Sequence, residues 1–198
     1  LTGKKNNRRT LYTKRMIRES FLELLRHKEL EKITVTDICY EADINRGTFY
    51  RYYESPLNLM QCLQDEVYER CMCLIKQRFK GDTCVVLRTV FEVLKGTDPE
   101  IVKFTIDKQN HYTFLEEIFK GAKEATRPFI MQRIKWLTDT QFDYYYAYVT
   151  NGIIGIISQW IRSGMTHNTD KIEKMFVLLL EQSKQDLETR SLEFLKLN

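Results

Sequence analysis

Apolar residues recur at helical spacing along almost the whole chain, and no credible pair of strands stands out. Ile17, Phe21, Leu24 and Leu25 share one face and predict a first helix beginning near Thr10. The pattern breaks from His27 to Ile33. In TVTDICYEADI, Thr34 stands three residues before Asp37, which is capping-box spacing and starts a second helix at Val35. Val35, Ile38 and Cys39 supply its buried face. That helix stops at Ala42-Asp43, where Asp43 suits a tight left-handed turn. Asn45 is then a good N-cap for a third helix, Arg46 to about Tyr52. Two short helices joined by a tight turn outline a helix-turn-helix.

Ser55-Pro56 opens a fourth helix, with serine at the N-cap and proline at the first helical position. Leu59, Leu63, Val67, Cys71 and Leu74 carry its stripe to about Phe79. Further helices are expected at Thr83 to Lys95, Asp98 to about Lys108 and Tyr112 to Leu137. The last of these should break near Pro128, whose ring removes a backbone donor. Gln141 to about Met165 and Thr169 to about Leu195 complete the set. The expected fold is all-α. Residues 1–54 are expected to form a three-helix helix-turn-helix domain, a motif common in DNA-binding heads, and residues 55–198 a second helical domain. Ser55–Phe79 connects the two.

Composition narrows the function classes. A chain of 198 residues, 43% hydrophobic and 29% charged, has the balance of a folded globular protein. No run approaches about 18 uninterrupted apolar residues, so no membrane span is expected. The richest stretch, Val149 to Ile161, is broken by Thr150, Asn151, Gly152, Ser158 and Gln159. The opening LTGKKNNRRT lacks the apolar core of a signal peptide. Five cysteines occur, and Cys71 and Cys73 point to different helix faces, which argues against a zinc pair. They read as reduced thiols packing like small hydrophobes. His27, His111 and His167 are scattered, and no phosphate loop, nucleophile elbow or dinucleotide motif is present. No catalytic residue, metal or cofactor is expected, and the chain does not read as an enzyme.

Charge is unevenly placed. Residues 1–53 carry 12 basic against 7 acidic side chains, whereas residues 54–198 carry 19 against 20. Arg8, Arg9, Lys14, Arg15 and Arg18 crowd the start of the first helix, where they oppose its dipole. An anionic partner would give a reason to keep them there.

The stretch INRGTFYRYY sharpens this. On a helical wheel Phe49 and Tyr53 share a face with Ile44 and anchor the third helix. The opposite face pairs Arg46 with Tyr50 and Gly47 with Arg51, and Thr48 lies at the margin. Glycine inside a helix costs roughly 1 kcal/mol against alanine. Close approach to a DNA groove is a reason to accept that cost. Arginine binds guanine edges or phosphates bidentately, and tyrosine and threonine hydroxyls donate to phosphate. The competing reading is a solvated basic helix with an incidental glycine.

The run ITVTDICYEADINRGTFYRYYESPLNLM, Ile33 to Met60, resembles the N-terminal signature of the TetR family of bacterial transcriptional regulators. The match covers roughly residues 10–60. The segment GIIGIISQWIRSGM around Trp160 is similar to a subgroup that includes regulators of dihydroxyacetone kinase operons. The resemblance implies a cytoplasmic repressor that binds a palindromic double-stranded DNA operator as a homodimer and is released by a small-molecule inducer. It implies that Asn45, Arg46, Gly47 and Thr48 lie nearest the bases. Tyr50 and Arg51, with Thr34 and Thr36, would meet phosphates. Two positions depart from the family pattern: Asp43 stands where glycine is common, and Pro56 where a phosphate-binding lysine is common. Lys14, Arg15 and Arg18 are expected to take over part of that lysine's role.

In the body, Phe142, Tyr146, Val149, Ile153, Ile156, Ile157 and Trp160 make one apolar stripe. Ile172, Phe176, Leu179, Leu180 and Leu187 make another. Gly152 and Gly155 would allow close helix approach. The resemblance implies that these helices pair across a two-fold axis, with Tyr146, Val149, Ile153, Ile156, Ile157, Trp160, Phe176, Leu179 and Leu180 at the dimer interface. Periodicity alone already favours a dimer over the alternative, in which both stripes are spent on the chain's own core. An inducer pocket would draw its lining from Phe104, Tyr112, Phe119, Trp136 and Tyr145, with Phe114 and Phe129 nearby, unless these aromatics are plain core. The rival function is a helical adaptor working through protein contacts.

Overall fold

The computed structural model describes residues 2–80, 84–104, 114–135 and 137–194. Among them run nine α-helices: α1 (Thr2–Leu25), α2 (Val35–Glu41), α3 (Arg46–Tyr50), α4 (Pro56–Arg78), α5 (Cys84–Lys95), α6 (Pro99–Phe104), α7 (Phe114–Arg133), α8 (Asp139–Arg162) and α9 (Thr169–Phe194). A 3-10 turn at Leu30–Lys32 links α1 to α2. N-terminal helices followed by a C-terminal helical bundle make the fold all-α. None of the described helices is long and apolar enough to cross a membrane.

The chain divides into two compact units. The first holds the described residues up to Glu66 together with Asp98–Phe104; the second holds those of Val67–Thr97 and those beyond Phe104. In the first unit, Ile17 and Phe21 of α1, Ile38 of α2, Phe49 of α3, Leu59 of α4 and Ile101 of α6 are fully buried. Burying one such side chain contributes about 1.5–3 kcal/mol. Leu30 and Ile33 bracket the 3-10 turn and are buried too, so an irregular segment still adds to the core. Arg26 pairs with Asp98 at 3.3 Å, tying α1 to the start of α6.

The core of the second unit centres on Leu87, Phe91, Leu115, Ile118, Phe142 and Ile157. Phe91 meets the Trp160 ring edge-on with centroids 5.6 Å apart. At Gly121 of α7 a Cβ would stand 2.9 Å from the Tyr68 hydroxyl and 3.1 Å from Met72 Cε. Glycine there lets α7 and α4 approach closely.

Several boundaries differ from expectation. The first helix begins at Thr2, well before Thr10. The third ends at Tyr50, after which Tyr52 and Tyr53 donate back to the Phe49 carbonyl in a closing turn. Pro128 does not break α7. It lies on the exposed side, as does Glu124 one turn earlier, so the carbonyl it leaves unbonded can take water instead. The last long pair starts with a capping box at Thr138 and Gln141, a T-x-x-Q signal present in the sequence. Tyr112 and Trp136, expected in a pocket, lie outside the described residues.

Candidate nucleic-acid interface

The helix-turn-helix is set by local chemistry. The backbone N–H and the hydroxyl of Thr34 both donate to Asp37 Oδ2 at 2.9 Å, and the Asp37 N–H donates to Thr34 Oγ1 at 3.1 Å. These donors, helped by Lys28 at 3.3 Å, hold the Asp37 carboxyl below its ordinary range. Helix α2 then closes with Ala42 N–H on the Ile38 carbonyl, and Asp43 turns the chain at φ 49°. The Ile44 N–H returns to the Cys39 carbonyl at 3.0 Å. Asn45 caps α3 by accepting from the Thr48 N–H at 2.7 Å. Phe49 and Tyr53 pack inward, and burial pushes the Tyr53 phenol pKa up.

The opposite face is open. Asn45, Arg46, Gly47, Tyr50 and Arg51 are exposed, and so are Thr34 and Thr36 on α2; Thr48 is half-buried. All eight sequence-chosen residues thus lie on the first unit's helix-turn-helix. Not all offer the same chemistry. The Thr34 hydroxyl proton is committed to Asp37, and that of Thr48 to Asn45 Oδ1 at 3.0 Å. Thr36 instead accepts from Arg46 Nη2 at 2.5 Å and keeps its own proton to give.

Gly47 has no internal reason to be glycine. Its φ is not positive, and an added Cβ would meet only Asn45 Oδ1, at 3.4 Å. That is ordinary contact. The helix-propensity cost of this glycine is therefore not compensated by packing within the chain.

Cations around this face divide into two sets. Arg15 pairs with Glu19 at 3.7 Å, Arg18 with Glu66 at 2.8 Å and Lys32 with Glu29 at 2.7 Å. Arg26 and Lys28 are likewise ion-paired. Arg8, Arg9, Lys14, Arg46 and Arg51 have no carboxylate partner among the described residues. Lys14 sits over the Tyr52 ring, 5.8 Å from its centroid. Of the cations expected to serve as a phosphate-binding arm, Arg15 and Arg18 already face carboxylates, while Lys14, like Arg8 and Arg9, faces none among the described residues. At the start of α4, Ser55 Oγ accepts the Asn58 N–H at 3.0 Å, and Asn58 Oδ1 accepts from the Glu54 N–H at 3.1 Å. Sequence reasoning missed the Asn58 half of this clamp, although S-x-x-N is a readable capping signal. It also passed over Tyr40, which is 87% exposed on α2.

In the second unit the expected pocket and dimer residues are partly exchanged. Phe119 and Tyr145 line a cavity of about 30 Å³, but so do Tyr146, Val149, Ile153 and Leu180, which were expected at a dimer interface. Phe104 is half-buried at the end of α6 and is not part of that lining. Tyr146 donates to the Phe119 carbonyl at 2.6 Å, and burial pushes its phenol up to about 12. A cavity of this size holds a water or two, whereas drug-sized ligands occupy about 300–1,000 Å³.

Ile153, Ile157, Trp160, Phe176 and Leu180 are buried within the single chain. Of these, Trp160 packs edge-on against Phe91. Among the described residues, the large apolar side chains exposed on α8 and α9 are Tyr144, Tyr148, Met175, Leu178 and Leu179. Val149 and Ile156 are half-buried, and a Cβ at Gly152 or Gly155 would meet nothing within 4 Å.

Residues 86–182 match a family model described as a transcriptional regulator C-terminal region, of TetR type. No curated protein matches the chain by sequence. Among solved structures, the dihydroxyacetone kinase operon activator DhaS is similar in fold, with a TM-score of 0.65 at 21% identity over 88% of this chain and 97% of that one. A protein from Pseudomonas aeruginosa PAO1, described as a transcriptional regulator, gives a TM-score of 0.65 at 11% identity over 89% of this chain and 92% of that one.

Proposed function

We propose that this chain, whose C-terminal region matches a TetR-type regulator model and whose fold is shared with transcriptional regulators, is a TetR-family transcriptional regulator that lays α3 into the major groove of a palindromic DNA operator as a homodimer. The outward face of α3 carries this reading. It presents Arg46, Tyr50 and Arg51 around a glycine that the chain itself does not need. Arg46 and the Asn45 amide donate to base edges. Tyr50, Arg51 and Thr36 hold phosphates, and Arg8, Arg9 and Lys14 supply further positive charge.

A five-residue helix covers only a few base pairs, so two copies about 34 Å apart are needed for an operator of useful length. The open faces of α8 and α9 suit that pairing. Tyr144, Tyr148, Met175 and Leu178 are exposed apolar side chains, and the bare backbone at Gly152 and Gly155 gives room for a facing helix. Occupying an operator that overlaps a promoter is enough to repress, and repression is the sign we assign. The fold neighbour DhaS is named as an activator, so the opposite sign is available to the same fold. A small-molecule inducer would enter the more open cleft of about 300 Å³ between α7 and α8, which Phe119, Lys123, Asp143 and Tyr146 line.

The experiment is selection of a duplex from a randomised pool, followed by titration at several salt concentrations. Specific, salt-dependent binding that is lost in Arg46→Ala and Tyr50→Ala supports the reading. A chain that selects no sequence, or whose variants bind as before, acts as an adaptor rather than a DNA reader.

A further inference from the structure

The contact between Arg46 and Thr36 goes beyond placing both residues on one DNA-facing surface. Arg46 is the first residue of α3, and Thr36 is the second of α2. A guanidinium on a flexible stem would otherwise sample many orientations, and ordering it on binding costs free energy. Here one Nη2 proton is already given to Thr36 Oγ1 at 2.5 Å. Five guanidinium protons are available, so four remain, enough for a bidentate contact to a guanine edge.

Thr36 can do this because its neighbours have taken over the structural work. Helix α2 is capped by Thr34 and Asp37, and Thr36 belongs to neither side of that box. Its side chain is exposed. Having accepted from Arg46, the hydroxyl still has its own proton to donate, whereas the proton of Thr34 is committed to Asp37. One hydroxyl can thus accept from a base-reading arginine and donate to a phosphate oxygen. In the free protein such an exposed bond adds little. Within a groove that excludes water it gains strength.

We infer that Thr36 is a positioning residue for sequence recognition: it orients Arg46 toward its base and links that orientation to the grip of α2 on the backbone. This rests on the DNA-binding reading above. It makes Thr36 a determinant of specificity as well as of affinity.

The test uses the full chain, a duplex it selects, the same duplex with the base pair read by Arg46 exchanged, and random DNA of equal length. Thr36→Val keeps the shape and removes the hydroxyl; Thr36→Ser keeps the hydroxyl. The valine variant should lose roughly five- to tenfold in discrimination between the two duplexes, about the lower range of one bidentate contact, and serine should restore it. In an Arg46→Ala background, the same Thr36→Val change should leave discrimination where it already stands. Three results overturn the inference without touching the DNA-binding reading: an equal loss of affinity for all three duplexes, which makes Thr36 a phosphate contact only; the same loss of discrimination with and without Arg46; or no effect at all while Arg46→Ala still abolishes specificity. If the wild-type chain selects no duplex, or Arg46→Ala is silent, the broader reading falls and this one with it.

Discussion

Asn45 Oδ1 accepts twice from Thr48, from the backbone N–H at 2.7 Å and from the hydroxyl at 3.0 Å. One carbonyl oxygen therefore starts α3 and fixes the side chain beside Gly47. Asn45→Ala removes this cap and should cost about 1 kcal/mol of stability. Asn45→Asp keeps an acceptor, so it should hold stability while placing a negative charge against the groove. Chemical denaturation and duplex titration of the two variants separate capping from base contact: alanine lowers both quantities, aspartate only the second.

The two classes of arm cation give a second prediction. Each of Arg8→Ala, Arg9→Ala and Lys14→Ala should weaken binding and lower the slope of log affinity against log salt by up to about 0.9 for each phosphate that the variant leaves unneutralised. Arg15→Ala and Arg18→Ala should change the slope much less, because Glu19 and Glu66 already neutralise these residues. Titrations from low to moderate salt measure both sets. Equal slopes across all five variants would remove the distinction.

Acid stability offers a third. The Asp37 carboxyl is depressed from its usual 3.8, first by the Thr34 backbone N–H and hydroxyl and then by Lys28. A depressed carboxyl contributes stability above its unfolded pKa and loses it as pH falls through the folded value. Thr34→Ala should therefore be less stable than wild type at pH 6, and the gap should narrow as pH falls below about 3.8. Thermal melts across that range read the difference. A gap that stays constant to pH 2 would contradict the cap's electrostatic role.

Core and interface separate on α8 and α9. Ile157 is fully buried in the single chain, and Leu178 is 71% exposed. Ile157→Ala should cost about 2–4 kcal/mol. Leu178→Glu should leave helicity intact, halve the mass measured by light scattering and weaken operator binding. A Leu178→Glu variant that remains dimeric would move the interface off this face.

The helix-turn-helix was legible because its determinants are local. Thr34 with Asp37, Asp43 in the left-handed region, Asn45 before α3 and Ser55-Pro56 before α4 each act within four residues. Their spacing in the sequence is their geometry in the fold. The second unit is harder to read. Periodicity marks the stripes of α8 and α9 but not their partners, so Ile153 and Leu180 read as interface residues although both are buried within the single chain. Arg18 reads as a free cation because Glu66 lies 48 residues beyond it, a separation no helical wheel spans, whereas the Arg15–Glu19 pair is an i, i+4 contact that the wheel does show. Pro128 reads as a break because its tolerance depends on exposure, which the sequence does not state.

The most direct test of the account measures stability and DNA affinity together in Gly47→Ala and Gly47→Leu. The site is exposed, and a Cβ there meets only Asn45 Oδ1 at 3.4 Å. Better helix formers should therefore raise stability by a few tenths to about 1 kcal/mol. If the bare backbone at Gly47 lies against base pairs, affinity for the selected duplex should fall in the same variants, further for leucine than for alanine. Variants that are more stable and bind as tightly as wild type would contradict the central claim.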